Sequence, residues 1–202
     1  METRKEIEES NLLFSFDDSY DVIKLDDKAF YRRYFNSMPG AKGVDIVADS
    51  DEIIHLVEIK NCLGHEAENR WRISIDNSKL GSAPRGLDVD NRDSFDIEVT
   101  KKVAMSILCL FGAWTKVQGT ETAKELETYW SGMTTTKIQL DQKQIVVTLF
   151  LEGNFDRIAQ SRTKRMVMKR IQESIRKKLS WLNCKVLVVD SITYKSKFFM
   201  VS

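Results

Sequence analysis

The feature that most constrains the fold is an apolar segment of eight residues, IIHLVEIK, at positions 53–60. A run of this length and composition is typical of a β-strand buried on both faces of a sheet. A second strand-like segment, GVDIVA at 43–48, precedes it, and the turn ADSDE between them is rich in Asp and Ser. Because so short a connection joins antiparallel neighbours, the sequence predicts a β-hairpin whose second strand is central in the sheet.

Apolar periodicity predicts the elements around this hairpin. Towards the N-terminus we expect an amphipathic helix over 1–13, an irregular strand over 14–25 and a helix over 29–36 capped by Asp26 or Asp27. After the hairpin we expect a third strand (70–75), a long loop (76–92), a buried helix starting at Asp93 or Ser94, a short helix (119–131), a second hairpin (137–153), a helix from about Asp156 to Leu182 and a closing strand (184–192). Residues 1–202 are therefore predicted to form one α/β domain, a central mixed β-sheet flanked by helices.

Charge is distributed unevenly along the chain. The formal net charge of +1 conceals −9 in residues 1–98 and +10 in residues 99–202. A domain with one acidic and one basic half often handles a polyanion with one surface; alternatively, the two halves simply attract each other.

Cysteine spacing and hydropathy predict a cytoplasmic, intracellular protein. Cys62, Cys109 and Cys184 are far apart, so they suggest neither a zinc site nor a disulfide framework. The longest mainly apolar run, 103–114, is too short to cross a bilayer, and the polar N-terminus has no signal-peptide core.

A carboxylate and an amine share one face at the end of the predicted central strand. Glu58 and Lys60 are two residues apart, and Asp45 lies across the hairpin from positions 56–58. Two carboxylates directed at one point repel each other unless a cation lies between them, and oxygen ligands suit Mg²⁺ or Mn²⁺. The Ile59 carbonyl is a further possible ligand. The alternative is a cross-strand ion pair at the end of a sheet.

This pattern resembles the PD-(D/E)xK nuclease superfamily, which has the restriction-endonuclease-like fold. The resemblance is carried by Asp45 and by Glu58-Ile59-Lys60, with twelve residues between Asp45 and Glu58, in a coarse element order that matches over about 26–150. It implies an α-β-β-β-α-β core with an additional C-terminal helix and strand. It also implies that Asp45 and Glu58 bind the metal and that Lys60 is catalytic. Val44 replaces the proline of the family motif, and the acidic residue many members carry upstream has four candidates here: Glu6, Glu9, Asp26 and Asp27.

Basic residues outside this motif are candidates for contacts with nucleic acid. The predicted C-terminal helix carries Arg162, Arg165 and Lys169, which can line one side and lie along phosphates. Arg70 and Arg72 share a face of the predicted third strand. Lys102 is four residues after Glu98; an i,i+4 ion pair is the favoured interpretation, and contact of Lys101 or Lys102 with a substrate phosphate is the alternative. The basic helix could equally be a solvated face.

The sequence offers no Ser-His-Asp arrangement, no phosphate-binding glycine loop and only two histidines, of which His55 should face away from Glu58. The first hypothesis is therefore a Mg²⁺-dependent endonuclease acting on DNA, in restriction, repair or phage defence, as a homodimer or with a partner subunit. The alternatives are a non-catalytic nucleic-acid-binding or assembly module, and an effector nuclease activated by a ligand or partner, with 76–92 as its gating loop.

Overall fold

A computed structural model describes residues 4–84, 86, 93–155, 163–195 and 198–202. Its main sheet has five strands in the order β3-β4-β5-β6-β7. Their bounds are Asp21–Ile23 (β3), Ile46–Asp49 (β4), Ile53–Asn61 (β5), Gln144–Glu152 (β6) and Cys184–Val189 (β7). β3, β4 and β5 are antiparallel neighbours, whereas β5, β6 and β7 are parallel. The predicted hairpin and the central position of its second strand are confirmed.

The register of this hairpin positions the predicted motif. Ile46 lies opposite Val57 in the antiparallel β4–β5 ladder. One residue further, Asp45 is brought level with Glu58, and both belong to the face of the sheet on which Val47 and Leu56 are buried.

Helices cover that face. Their bounds are Glu66–Asn69 (α1), Phe95–Lys116 (α2), Glu121–Lys124 (α3), Glu127–Thr134 (α4), Thr136–Gln139 (α5) and Lys164–Lys178 (α6). α2 starts directly after Ser94, as predicted, and its buried side chains Val99, Val103 and Leu110 join a core with Leu56 and Val147 of the sheet. A single π-helical turn, Tyr31–Phe35, packs beside α2. None of the helices in the described part of the chain is long and apolar enough to cross a membrane.

A small second sheet covers the opposite face. It consists of Arg4–Glu9 (β1), Leu12–Asp17 (β2) and Met200–Val201 (β8) in the order β1-β2-β8. Phe14 and Phe16 of β2 pack with Val57 and Ile59 of β5 in a second hydrophobic core. The molecule is therefore an α/β protein in which one mixed sheet lies between a helical layer and a three-stranded antiparallel sheet.

The predicted helix over 1–13 is wrong. Ser10 and Asn11 both have positive φ angles, 53° and 61°, which is the backbone of a two-residue hairpin turn. The chain therefore reverses there and forms the β1–β2 hairpin. In β1, Ile7 is half-buried between the exposed Glu6 and Glu8, as expected of a strand with one solvated face.

Two further strand predictions are wrong. Residues 70–75 form turns rather than a third strand, and the chain then passes through positive φ angles at Asp76 and Asn77. The predicted hairpin over 137–153 is instead α5, capped by Thr135, followed by β6. β6 pairs with β5 in parallel, and its almost continuous burial is that of a strand covered on both faces.

The predicted irregular strand over 14–25 is instead two strands, β2 and β3, which belong to different sheets. The other predictions agree in their centres and differ at their ends. The short helix over 119–131 is divided into α3 and α4, and the closing strand is β7. The second long helix is described from Lys164, and residues 156–162 of the predicted range lie outside the described residues, as do 85 and 87–92 of the predicted loop.

Candidate functional site

Asp45 is held in place by hydrogen bonds on either side of the hairpin. The Val44 N–H donates to Ser106 Oγ of α2 at 2.9 Å, and the Ile59 N–H donates to Asp45 Oδ2 at 2.7 Å. Gly43 permits this approach, because a Cβ there would lie 3.0 Å from Leu25 Cδ2 and 3.4 Å from Ser106 Oγ. The loop before β4 is therefore fixed to both α2 and β5, and the Asp45 carboxylate stands next to the Glu58–Ile59 peptide.

The carboxylates of Asp45 and Glu58 meet at one ammonium group. Lys102 Nζ of α2 lies 3.1 Å from Asp45 Oδ1 and 2.6 Å from Glu58 Oε1. Both carboxylates therefore point to the same side of the sheet. The Glu58 side chain is fully buried, and that of Lys102 is 11% exposed.

Lys60 connects this pair to a second buried carboxylate. Its Nζ lies 2.8 Å from Glu58 Oε1 and 2.9 Å from Glu98 Oε1. Glu98 Oε2 accepts a hydrogen bond from the buried Arg72 guanidinium, which also lies over the Phe95 ring. Asp45, Glu58 and Glu98 thus form one network with Lys60, Lys102 and Arg72, which we call the carboxylate–lysine cluster.

Burial and charge act in opposite directions on the groups of this cluster. Burial raises the pKa of Glu58 to about 7, although the ammonium groups of Lys60 and Lys102 act to lower it. Burial alone would lower the pKa of Lys102, but the Glu58 and Asp45 carboxylates outweigh it and raise that pKa. The pKa of Lys60 is raised in the same way, because Glu58 and Glu98 outweigh the effect of burial.

The cluster lines an open cleft of about 250 Å³. Its walls are Asp26, Tyr31, Lys42, Gly43, Asp45, Lys60, Glu98 and Lys102. Burial and the neighbouring charges of Asp27 and Asp45 raise the pKa of Asp26. Of the four upstream acidic candidates, Asp26 lines this cleft, whereas Glu9 pairs with Lys24, Asp27 with Arg32, and Glu6 accepts from Ser15.

The two carboxylates that meet beside the cleft are of the chemical type that suits a hard divalent ion. Carboxylate oxygens of Asp45 and Glu58 are the ligands Mg²⁺ and Mn²⁺ prefer, with water and substrate oxygens completing the shell. Glu58 Oε2 is buried and, within the described part of the chain, has no hydrogen-bond partner. In that same part of the chain no group of three or more His, Cys, Asp or Glu side chains is arranged to hold a metal ion. The Ile59 side chain is buried on the opposite face, so only its backbone carbonyl could contribute.

The predicted nucleic-acid contacts are not brought together. Arg72 is buried in the cluster, and Lys102 lies against Asp45 and Glu58. Arg70 is exposed, as are Arg165 and Lys169 on α6, where Lys169 approaches Glu173 at 4.0 Å. Arg162 lies outside the described residues.

Sequence reasoning did not assign Glu98 to the site. Its spacing from Lys102 favoured an i,i+4 pair, but Glu98 bonds Lys60 and Arg72, while Lys102 bonds Asp45 and Glu58. The available signal was the presence of charged residues, Glu98 and Lys102 among them, in the first turns of a helix that is apolar further on. A charge buried in such a helix needs a partner, which another element can supply.

The fold and the cluster define a class: an α/β protein whose central strand ends in a buried carboxylate–lysine cluster beside an open cleft. The chain belongs to DUF6661, a family of unknown function whose model matches residues 28–202. The match contains every residue of the cluster and begins after the β1–β2 hairpin. No curated protein and no solved structure matches the chain.

Proposed function

We propose that this protein is a metal-dependent nuclease of the PD-(D/E)xK type, with the restriction-endonuclease-like arrangement of its core. The observation that carries the proposal is the meeting of two carboxylates at one cationic group, Asp45 from the residue before β4 and Glu58 from β5, with Lys60 bonded to the same Glu58 oxygen. The resemblance of Asp45 and Glu58-Ile59-Lys60 to the family motif supports it. DNA is the substrate we expect.

In this proposal Asp45 and Glu58 hold a Mg²⁺ or Mn²⁺ ion, and Asp26 stands at the rim of the cleft. The ion would lower the pKa of its bound water and polarise a phosphoryl oxygen. Lys60 Nζ lies between Glu58 and Glu98, where it can donate a hydrogen bond to water or to a phosphate oxygen in the cleft. Arg72 fixes Glu98, which in turn positions Lys60, so we assign Arg72 a positioning role and remove it from the nucleic-acid interface.

A second candidate is a non-catalytic nucleic-acid-binding module. The observation that favours it is that the ammonium groups of Lys60 and Lys102 already pair with the carboxylates of the cluster. Such an ion-pair network needs no metal ion to balance its charges. The exposed basic residues of α6 could then bind phosphates without any chemistry.

One assay separates the two candidates. Purified protein is incubated with single- and double-stranded DNA and with RNA, with Mg²⁺ or Mn²⁺. We expect cleavage that falls by at least about a hundredfold in Glu58→Gln, which keeps the side-chain volume, and in Lys60→Met.

The matched control is Glu152→Gln. Glu152 is also a buried glutamate, on the neighbouring strand, and it accepts a hydrogen bond from the Ser191 N–H away from the cleft. Its substitution should leave cleavage unchanged. Wild-type protein that cleaves none of the substrates with either metal while binding DNA would support the non-catalytic module instead.

A further inference from the structure

We propose that Lys102 is a built-in cation that occupies the metal position of the cluster and has to leave before a divalent ion can bind. This inference rests on the proposed function and adds a control on metal affinity. Its basis is geometric: one ammonium contacts a carboxylate oxygen of Asp45 at 3.1 Å and of Glu58 at 2.6 Å. That is the place between two carboxylates where a bridging cation would otherwise lie.

Because hydrogen bonds hold the backbone at Lys102 in place, only the side chain has to move when the ammonium leaves the two carboxylates. Ser106 Oγ donates to the Lys102 carbonyl at 2.9 Å and accepts from the Val44 N–H, which ties this turn of α2 to the loop before Asp45. Above that anchor, the four-carbon stem of Lys102 ends beside an open cleft. The ammonium can therefore turn out of the cluster without any rearrangement of α2.

The released ammonium has other acceptors close by. Glu98 lies one helical turn earlier on α2, with its Oε1 already bonded to Lys60 at 2.9 Å. A phosphate group in the cleft would be a better acceptor, since Lys42 and Lys60 also line it. Metal binding without nucleic acid should therefore be weak, because it separates Lys102 from two carboxylates, and a bound phosphate should strengthen it.

The test is Mn²⁺ binding, measured by isothermal titration calorimetry without nucleic acid. Lys102→Met removes the charge and keeps most of the stem. We expect it to bind Mn²⁺ at least about tenfold more tightly than the wild type, because unit charges this close interact strongly at low effective dielectric. The matched control is Lys101→Met, the adjacent residue on α2, whose ammonium pairs with Asp93 at 2.6 Å. It changes the net charge equally and should bind Mn²⁺ like the wild type.

Lys102→Gln is a second variant, which keeps hydrogen-bond donors for the two carboxylates and is used where thermal unfolding shows that Lys102→Met is not folded. It too should bind Mn²⁺ more tightly. If the wild type binds Mn²⁺, Glu58→Gln abolishes that binding, and folded Lys102 variants bind no more tightly than the wild type, the built-in cation is refuted and the nuclease proposal stands. An equal gain in Lys101→Met would also refute it. No Mn²⁺ binding in the folded Lys102 variants would also refute the built-in cation, whereas the nuclease proposal is decided separately by the cleavage assay with nucleic acid present.

Discussion

His55 should make the stability of this protein depend on pH in a way that is separate from the site. Its ring is fully buried on the face of β5 opposite Glu58, against Phe198 and Phe199, with Nε2 2.7 Å from Thr148 Oγ1. Burial lowers the pKa of His55 to about 3 from 6.5. Between these values the unfolded chain binds a proton that the folded protein does not, so His55 destabilises the fold as pH falls below about 6.5.

The magnitude follows from the two pKa values. One pKa unit corresponds to about 1.4 kcal/mol, so lowering the pH from 7 to 5 should cost about 2 kcal/mol of unfolding free energy through His55 alone. Glu58 acts in the opposite direction, because burial raises its pKa to about 7 and the folded state gains a proton in the same range. The pH dependence of the wild type therefore combines opposing contributions, and a difference between variants is needed to reveal that of His55.

The assay is urea unfolding at pH 7 and pH 5. The variant His55→Leu/Thr148→Val removes both partners of the hydrogen bond, so that no buried hydroxyl is left without a partner. When the pH is lowered from 7 to 5, the unfolding free energy of this variant minus that of the wild type should increase by about 2 kcal/mol. The control is His65→Leu, at a ring two-thirds exposed to water, which should preserve the wild-type dependence. Parallel pH profiles for the wild type and the double variant would refute the reasoning.

Further predictions concern packing and nucleic-acid binding. Gly132→Ala should destabilise the fold by about 1–3 kcal/mol in urea unfolding, because its Cβ would clash with the Asp49 carboxylate. Gly112→Ala, also in a helix but with neighbours no closer than 3.9 Å, should instead be neutral or stabilising by up to about 1 kcal/mol. Arg165→Ala and Lys169→Ala should each weaken DNA binding and reduce the slope of log K against log salt concentration by about 1 in fluorescence anisotropy titrations; unchanged slopes would remove α6 from the interface.

The sequence predicted the part of the fold that short-range patterns determine. The apolar segment 53–60 and the Asp- and Ser-rich turn before it determine the β4–β5 hairpin, and its register then places Asp45 level with Glu58. The long apolar stretch after Ser94 determines α2. In these places burial and local propensity favour the same structure, so the apolar periodicity of the sequence was sufficient to predict it.

The errors arose where pairing over long sequence distances decides the structure. β6 pairs with β5 in parallel, across almost a hundred residues, and nothing in 137–153 alone distinguishes this from a hairpin. Residues 70–75 alternate like a strand, but Trp71 and Arg72 are buried within turns, and Arg72 bonds Glu98 of α2 instead of joining a ladder. The same limitation hid Glu98, whose partners Lys60 and Arg72 come from other elements.

Stability alone does not explain the carboxylate–lysine cluster. Removing charges from water is costly, and a buried network of this kind is often no more stabilising than apolar side chains of similar volume. Here three carboxylates and three cations balance each other at the end of the central strand, beside a cleft open to solvent. A divalent ion added to this balanced cluster would leave an excess of positive charge, and a phosphodiester is an anion that would neutralise part of it. Under the proposed function, metal and phosphate would each make the other's binding more favourable, so the metal site would assemble around a nucleic-acid backbone and would not hold a permanent ion.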